Sequence, residues 1–123
     1  MTTAVITVTE RKQAIEMCLQ FPNVYEDYPF GDFNWAVFRH NDNKKTFALV
    51  YDHKGKTCIN LKAIPELGTI WRQEYSAVTE GYHMNKLHWI TVILDGTLSD
   101  NIIFGLIKDS YQLTLPVKKK SAR

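Results

Sequence analysis

The sequence predicts an α+β domain: an antiparallel sheet with helices on one face, in two layers and in the order α-β-β-β-α-β-β-α. Two observations carry this. Between residues 34 and 62, three short runs rich in β-branched and aromatic residues are separated only by turn residues, the pattern of a meander. Before that meander, after it, and again near the C-terminus, apolar residues recur at helical spacing.

The elements follow in order. "TVTERKQAIEMCLQF" reads as a first helix, with Thr7 and Glu10 at capping-box spacing, Ile15, Cys18 and Leu19 on one face, and Pro22 as its stop. "FPNVYEDYPFGD", dense in aromatic and acidic residues, is expected to be a loop. The strand runs are "NWAVFRH" (34–40), "KTFALVYD" (45–52) and "KTCINLK" (56–62), joined by the turn segments "NDNK" and "HKG". "AIPELGTIWRQEY" reads as a second helix. Pro65 sits in its first turn, Glu66 suits its positive end, Leu67, Ile70 and Trp71 form an apolar face, and Gly68 weakens its start. After "SAVTE", the stretch "GYHMNKLHWITVILDG" (81–96) reads as a hairpin. "SDNIIFGLIKDSYQL" is a third helix, with Ser99 as N-cap and Ile103, Phe104, Ile107 and Tyr111 at helical spacing.

A chain of 123 residues suits one domain, expected over 1–116, with 117–123 as a basic flexible tail. No run approaches the ~18 apolar residues of a membrane span. The start "MTTAVITVTERK" lacks the charged-then-apolar order of a secretion signal, so a cytoplasmic protein is expected. Cys18 and Cys58 form no CxxC pair and sit among apolar residues, which favours buried thiols over a disulfide. The net charge of +2 is unevenly placed. Residues 1–38 carry two basic and five acidic groups, and residues 63–117 carry three and six. Residues 39–62 carry six basic and two acidic groups, and the final "KKKSAR" adds four more basic ones. A mildly acidic body with one basic sector is weaker than the surface of a tight nucleic-acid binder.

If Asn85-Lys86 is the two-residue turn of the last hairpin, Met84 faces Leu87, His83 faces His88 and Tyr82 faces Trp89. Asn tolerates the positive φ of such a turn, whereas Lys fits its second position less well than Gly. Two adjacent imidazoles suggest a metal, but a site needs three or four ligands, and nothing places His40 or His53 beside the pair. No metal or cofactor is therefore expected, and structural histidines with a Tyr82–Trp89 packing pair are the simpler reading. Enzyme readings fail on inventory. Ser76, Ser99 and Ser110 lie in no GxSxG context, and the glycines form neither a phosphate loop nor a dinucleotide fingerprint. Asp95-Gly96 reads as the turn that ends the strand, and Asp100 as a first-turn helix acid.

The segment "GYHMNKLHWITVILDGTLSDNIIFGLIKDSYQL" resembles the C-terminal signature of the MmcQ/YjbR family of small bacterial proteins. The matching positions are Tyr82, His83, Asn85, Lys86, His88, Trp89, Thr91, Val92, Asp95, Gly96, Asp109, Ser110 and Tyr111. "YPFGD", "KTFAL" and "INLKAIPE" also look like landmarks of that family. The resemblance implies a two-layer α+β fold akin to secretion chaperones and frataxin, and a DNA-binding role through a "double wing" of hairpins. Two departures reduce the hairpin's appeal to phosphate: Leu87 stands where a basic residue is frequent, and Glu80 where a proline is usual.

Two functions follow as expectations. In the first, DNA phosphates are met with little sequence reading and strong salt sensitivity by Arg39, Lys44, Lys45, Lys54, Lys56, Lys62 and Lys86. Successive turns of a meander lie at opposite ends of the sheet, so one duplex reaches both only by running along the strands or over an open sheet face. In the second, the acidic body and the aromatic segment Tyr25, Tyr28, Phe30, Phe33 and Trp35 serve a protein or peptide partner.

Overall fold

A computed structural model describes residues 8–117. Nine elements follow in order: α1 (Arg11–Leu19), β1 (Val24–Asp27), β2 (Ala36–His40), β3 (Thr46–His53), β4 (Lys56–Lys62), α2 (Pro65–Glu74), β5 (Val78–Glu80), β6 (Trp89–Ile93) and α3 (Asp100–Leu113). The six strands form one antiparallel sheet in the order β1-β2-β3-β4-β6-β5. The predicted fold class stands, with one strand more than expected. Val24–Asp27 was expected to be loop but pairs with Val37–His40 as an edge strand. All four of its residues are half-buried, so no inside–outside alternation marks it in the sequence. Thr7 lies outside the described residues, as do 118–123 of the expected tail. Glu10, expected as the far member of a capping box, is itself the N-cap, and its N–H donates to Gln13 Oε1 at 3.2 Å.

Register explains the two faces. Pairings such as Ala36↔Val50, Val50↔Ile59 and Ile59↔Val92 put one set of side chains on the helix side. There Phe38, Val50, Ile59, Leu61, Ile90 and Val92 meet Ala14 and Cys18 of α1 and Ile103, Leu106 and Ile107 of α3 in one apolar core. Burial of such side chains is the main stabilising term, at ~25 cal/mol per Å² of apolar surface. Ser99 caps α3 as expected, accepting from Ile102 N–H at 3.4 Å.

α3 is pinned to the sheet by polar contacts that signature residues supply. The β3–β4 ladder ends at Ala48↔Leu61. Beyond it, the Ser110 hydroxyl donates to Phe47 C=O at 2.6 Å and accepts from Lys62 N–H at 2.8 Å, bridging groups that would otherwise be orphaned. Tyr111 stacks on Phe21 with ring centroids 4.8 Å apart, and its hydroxyl donates to Pro22 C=O at 2.8 Å. Buried His40 contacts Thr114 just past the helix, Nε2 to Oγ1 at 2.8 Å.

Candidate functional site

The face without helices is not bare. Val37, Leu49, Tyr51, Cys58, Asn60 and Thr91 point onto it and are buried, although no helix covers them. Two loops cover them instead: residues 28–35, between β1 and β2, and residues 81–88, between β5 and β6.

The second loop is held by a buried polar node. Asn60 Oδ1 accepts from the Tyr51 hydroxyl and the Thr91 hydroxyl, each at 2.7 Å, while Asn60 Nδ2 donates to Tyr82 C=O at 2.8 Å. Thr91 Oγ1 in turn accepts from Tyr82 N–H at 2.8 Å. Every polar atom of the node therefore has a partner, as groups removed from water require. The loop also folds hard against β6: a Cβ on Gly81 would lie 2.8 Å from Trp89 Cβ and Trp89 O, so only glycine fits.

This geometry overturns the expected hairpin. Pairing runs Val78↔Val92, Thr79↔Thr91 and Glu80↔Ile90, one residue out of the expected register, and stops after Gly81. Tyr82 spends its backbone groups on Asn60 and Thr91, leaving none for a cross-strand ladder. Asn85 is no hairpin turn residue. Its Oδ1 accepts from Leu87 N–H at 2.9 Å, and its carbonyl accepts from Trp89 N–H at 3.0 Å, closing a single helical turn. Lys86 Nζ donates to Gly81 C=O at 3.0 Å and ties the neck of the loop. His83 and His88 consequently do not pair, and Tyr82 packs on other rings than Trp89.

The first loop is anchored just as firmly. Arg11 of α1 donates to Phe33 C=O and Asn34 C=O, both at 2.6 Å. Asn34 exchanges side-chain bonds with the Asp52 backbone at 3.0 and 3.2 Å, and Asp32 Oδ1 accepts from Asn34 N–H at 3.0 Å.

Between them the loops build an aromatic layer. Trp35 stacks on Tyr51 at 3.9 Å, with Tyr82 and His83 at 6.3 and 6.1 Å. Tyr82 lies 4.0 Å from His83 and 4.3 Å from His53, and Phe30 meets Trp35 edge-on at 6.2 Å. Phe30, beside half-buried Trp35, is 59% exposed, and elsewhere on the two loops Phe33 and Leu87 are 83% and 64% exposed. A cleft of about 300 Å³ lies between Phe30, Trp35 and Met84. A second, of about 350 Å³, lies between Tyr82, His53, Ile93 and Thr79. A separate groove of about 260 Å³ runs between α2 and α3 on the far side, lined by Leu67, Trp71 and Leu113.

Ionisation on this surface follows burial. Desolvation raises the Tyr51 hydroxyl well above its ordinary value and lifts the Cys58 thiol to about 11. Cys58 is thus a protonated thiol in the floor of the second cleft, unsuited to nucleophilic work. Cys18 is also a free thiol, buried on the opposite, helix-covered side. Among the described residues no three His, Cys, Asp or Glu side chains converge in a way that could hold a metal ion.

The seven candidate phosphate contacts are divided. Arg39, Lys44, Lys45 and Lys62 lie at one end of the sheet, and Lys54 and Lys56 flank the turn at the other. The eight residues of β3 between the two turns span ~23 Å. Arg39 is engaged with Asp27 at 3.0 Å and Thr46 at 2.9 Å. Lys44 donates to Asn41 C=O at 2.9 Å and lies 5.3 Å from the Tyr25 ring centroid. Lys86 lines the second cleft near His53. Among the described residues no helix is long and apolar enough to cross a membrane.

Comparison with known proteins places this architecture. The sequence model of a family named YjbR matches residues 19–113. The uncharacterised YjbR of Escherichia coli K12 is 40% identical over 92 residues, covering 66% of this chain and 78% of that protein. The uncharacterised YyaQ of Bacillus subtilis is 34% identical over 99 residues, covering 72% of this chain and 83% of its own length. A crystal structure of a Pseudomonas syringae protein superposes with a TM-score of 0.76 at 38% identity, covering 86% of this chain and 99% of that one. A Deinococcus radiodurans crystal structure gives 0.78 at 30% identity, covering 89% and 81%.

Proposed function

The chain belongs to the YjbR family, and from that premise we propose that it is a non-enzymatic binding protein that takes a segment of a protein partner onto the open face of its sheet. One observation carries the reading: large apolar side chains at Phe33, Phe30 and Leu87 stand exposed on two loops already ordered by Arg11 and Asn60, with Phe30 edge-on to half-buried Trp35. Interface hot spots are typically aromatic groups at the centre of a rigid patch, where little ordering entropy remains to be lost on binding. The two clefts carry both signs of charge, with Asp32 on the first and Glu80 and Lys86 on the second, which suits a peptide better than a polyanion.

DNA is the second reading, favoured by Lys54 and Lys56 on the turn next to the His53–Tyr82 ring pair. Rings beside lysines are the ingredients of a surface for unpaired bases.

One experiment separates the two. Labelled single-stranded and duplex DNA are titrated at low and moderate salt, with and without residues 118–123, and a phage-displayed random peptide library is selected in parallel. The expected result is peptide binding that weakens by more than ~10-fold in a Phe33→Ala, Leu87→Ala double variant, with no DNA binding by the tail-less chain. DNA binding by the tail-less chain that falls steeply with salt, with no peptide selected, would establish the second reading instead.

A further inference from the structure

β5 is one edge of the sheet, and the parity of its hydrogen bonds fixes which backbone groups face outward. Ile93 N–H donates to Ala77 C=O at 2.8 Å, and Gly81 N–H donates to Trp89 C=O at 3.1 Å. In an antiparallel pair such bonds fall on alternate residues, so Ala77, Thr79 and Gly81 turn their backbone groups toward β6. Val78 and Glu80 turn theirs away. Val78 N–H is taken by Tyr75 C=O at 3.0 Å, which leaves Val78 C=O and both backbone groups of Glu80 on the rim. That acceptor–donor–acceptor set is what an added strand uses. A strand running parallel to β5 would use all three, since one of its residues can donate to Val78 C=O and accept from Glu80 N–H.

The cleft of about 350 Å³ lies immediately inside this edge, on the open face. Thr79 and Ile93 border it on the edge side, Cys58 is its floor, and the adjacent, tilted rings of Tyr82 and His53 form the far wall. We propose that an extended peptide segment adds to the β5 edge as a seventh strand, with one aromatic or large aliphatic side chain lowered into this cleft. Main-chain bonding selects an extended chain over a helix, and the ring wall selects the anchor. This mode rests on the reading of the open face as a peptide-binding surface and specifies how the peptide lies.

The test uses peptides selected against the full chain from a phage-displayed random library, with Kd measured for the parent, Glu80→Pro, Glu80→Ala and Phe33→Ala. Proline at 80 removes the outward N–H and leaves the β5–β6 ladder intact. The expected result is ~10-fold weaker binding by Glu80→Pro and affinity within about twofold by Glu80→Ala. Amide exchange on the parent gives an independent reading: Thr79 N–H is protected without peptide, while Glu80 N–H becomes protected only in the complex. Parent-like affinity in Glu80→Pro, or a Glu80 amide still unprotected in the complex, would overturn strand addition. If Phe33→Ala then still weakens binding, the open-face reading survives without it; a library yielding no peptide removes both.

Discussion

Both faces of the sheet are buried, but by different means. On the helix side, residues such as Phe47, Ile59 and Leu61 pack against α1 and α3 in a continuous apolar core. On the open side, the cover is two loops held by side chain–backbone hydrogen bonds from Arg11, Asn34, Asn60 and Thr91, with large rings left in reach of solvent. The difference teaches where stability and recognition are expected to lie. Close-packed apolar burial is non-directional and strong, while a polar scaffold fixes shape and leaves apolar surface for a partner.

Substitutions that treat the two faces differently sharpen that contrast. The largest effect is expected for Phe47→Ala on the helix side: ~3–5 kcal/mol lost in urea unfolding, since the cavity opens between α1, α3 and β3. An Asn60→Ala change on the open side is expected to cost ~2–3 kcal/mol, because it strands the buried Tyr51 and Thr91 hydroxyls and the Tyr82 carbonyl. Its signature is selective: amide exchange in residues 81–88 should rise well before global unfolding. Equal loosening of the α3 amides would break the comparison.

A smaller effect concerns pH. Burial depresses the His40 pKa below its ordinary 6.5, because desolvation disfavours the imidazolium. The neutral ring's contribution is fully present above that ordinary value and is lost as pH falls from it through the depressed folded value. Urea midpoints should therefore drop between about pH 7 and about pH 5 more in the parent than in a His40→Gln variant. Identical slopes would show that the His40–Thr114 contact does not titrate with folding.

Much of the helix side was legible in the sequence. "KTCINLK" is β4 to the residue, and Ser99 caps α3 where its spacing said it should, because turns, caps and periodicity are local signals. The open side was not. Asn60 sits in an alternating strand, where a polar residue reads as solvated, yet it is fully buried under Tyr82. Arg11 reads as a surface helix residue but reaches across the sequence to Phe33 and Asn34. Asn85-Lys86 looks like a hairpin turn only until Asn60 and Thr91 claim the Tyr82 backbone. Each is a contact between residues more than eight apart, which no local pattern encodes. One signal was available: an Asn enclosed by Cys58, Ile59 and Leu61 is too costly to bury without partners.

The smallest expected change in stability tests the central claim most directly. Phe33→Ala is measured twice, by urea unfolding and by affinity for a selected peptide. A division of labour between the faces predicts stability within ~0.5 kcal/mol of the parent and affinity reduced ~10-fold. Unchanged affinity, or a loss of stability comparable to that of Phe47→Ala, would contradict it.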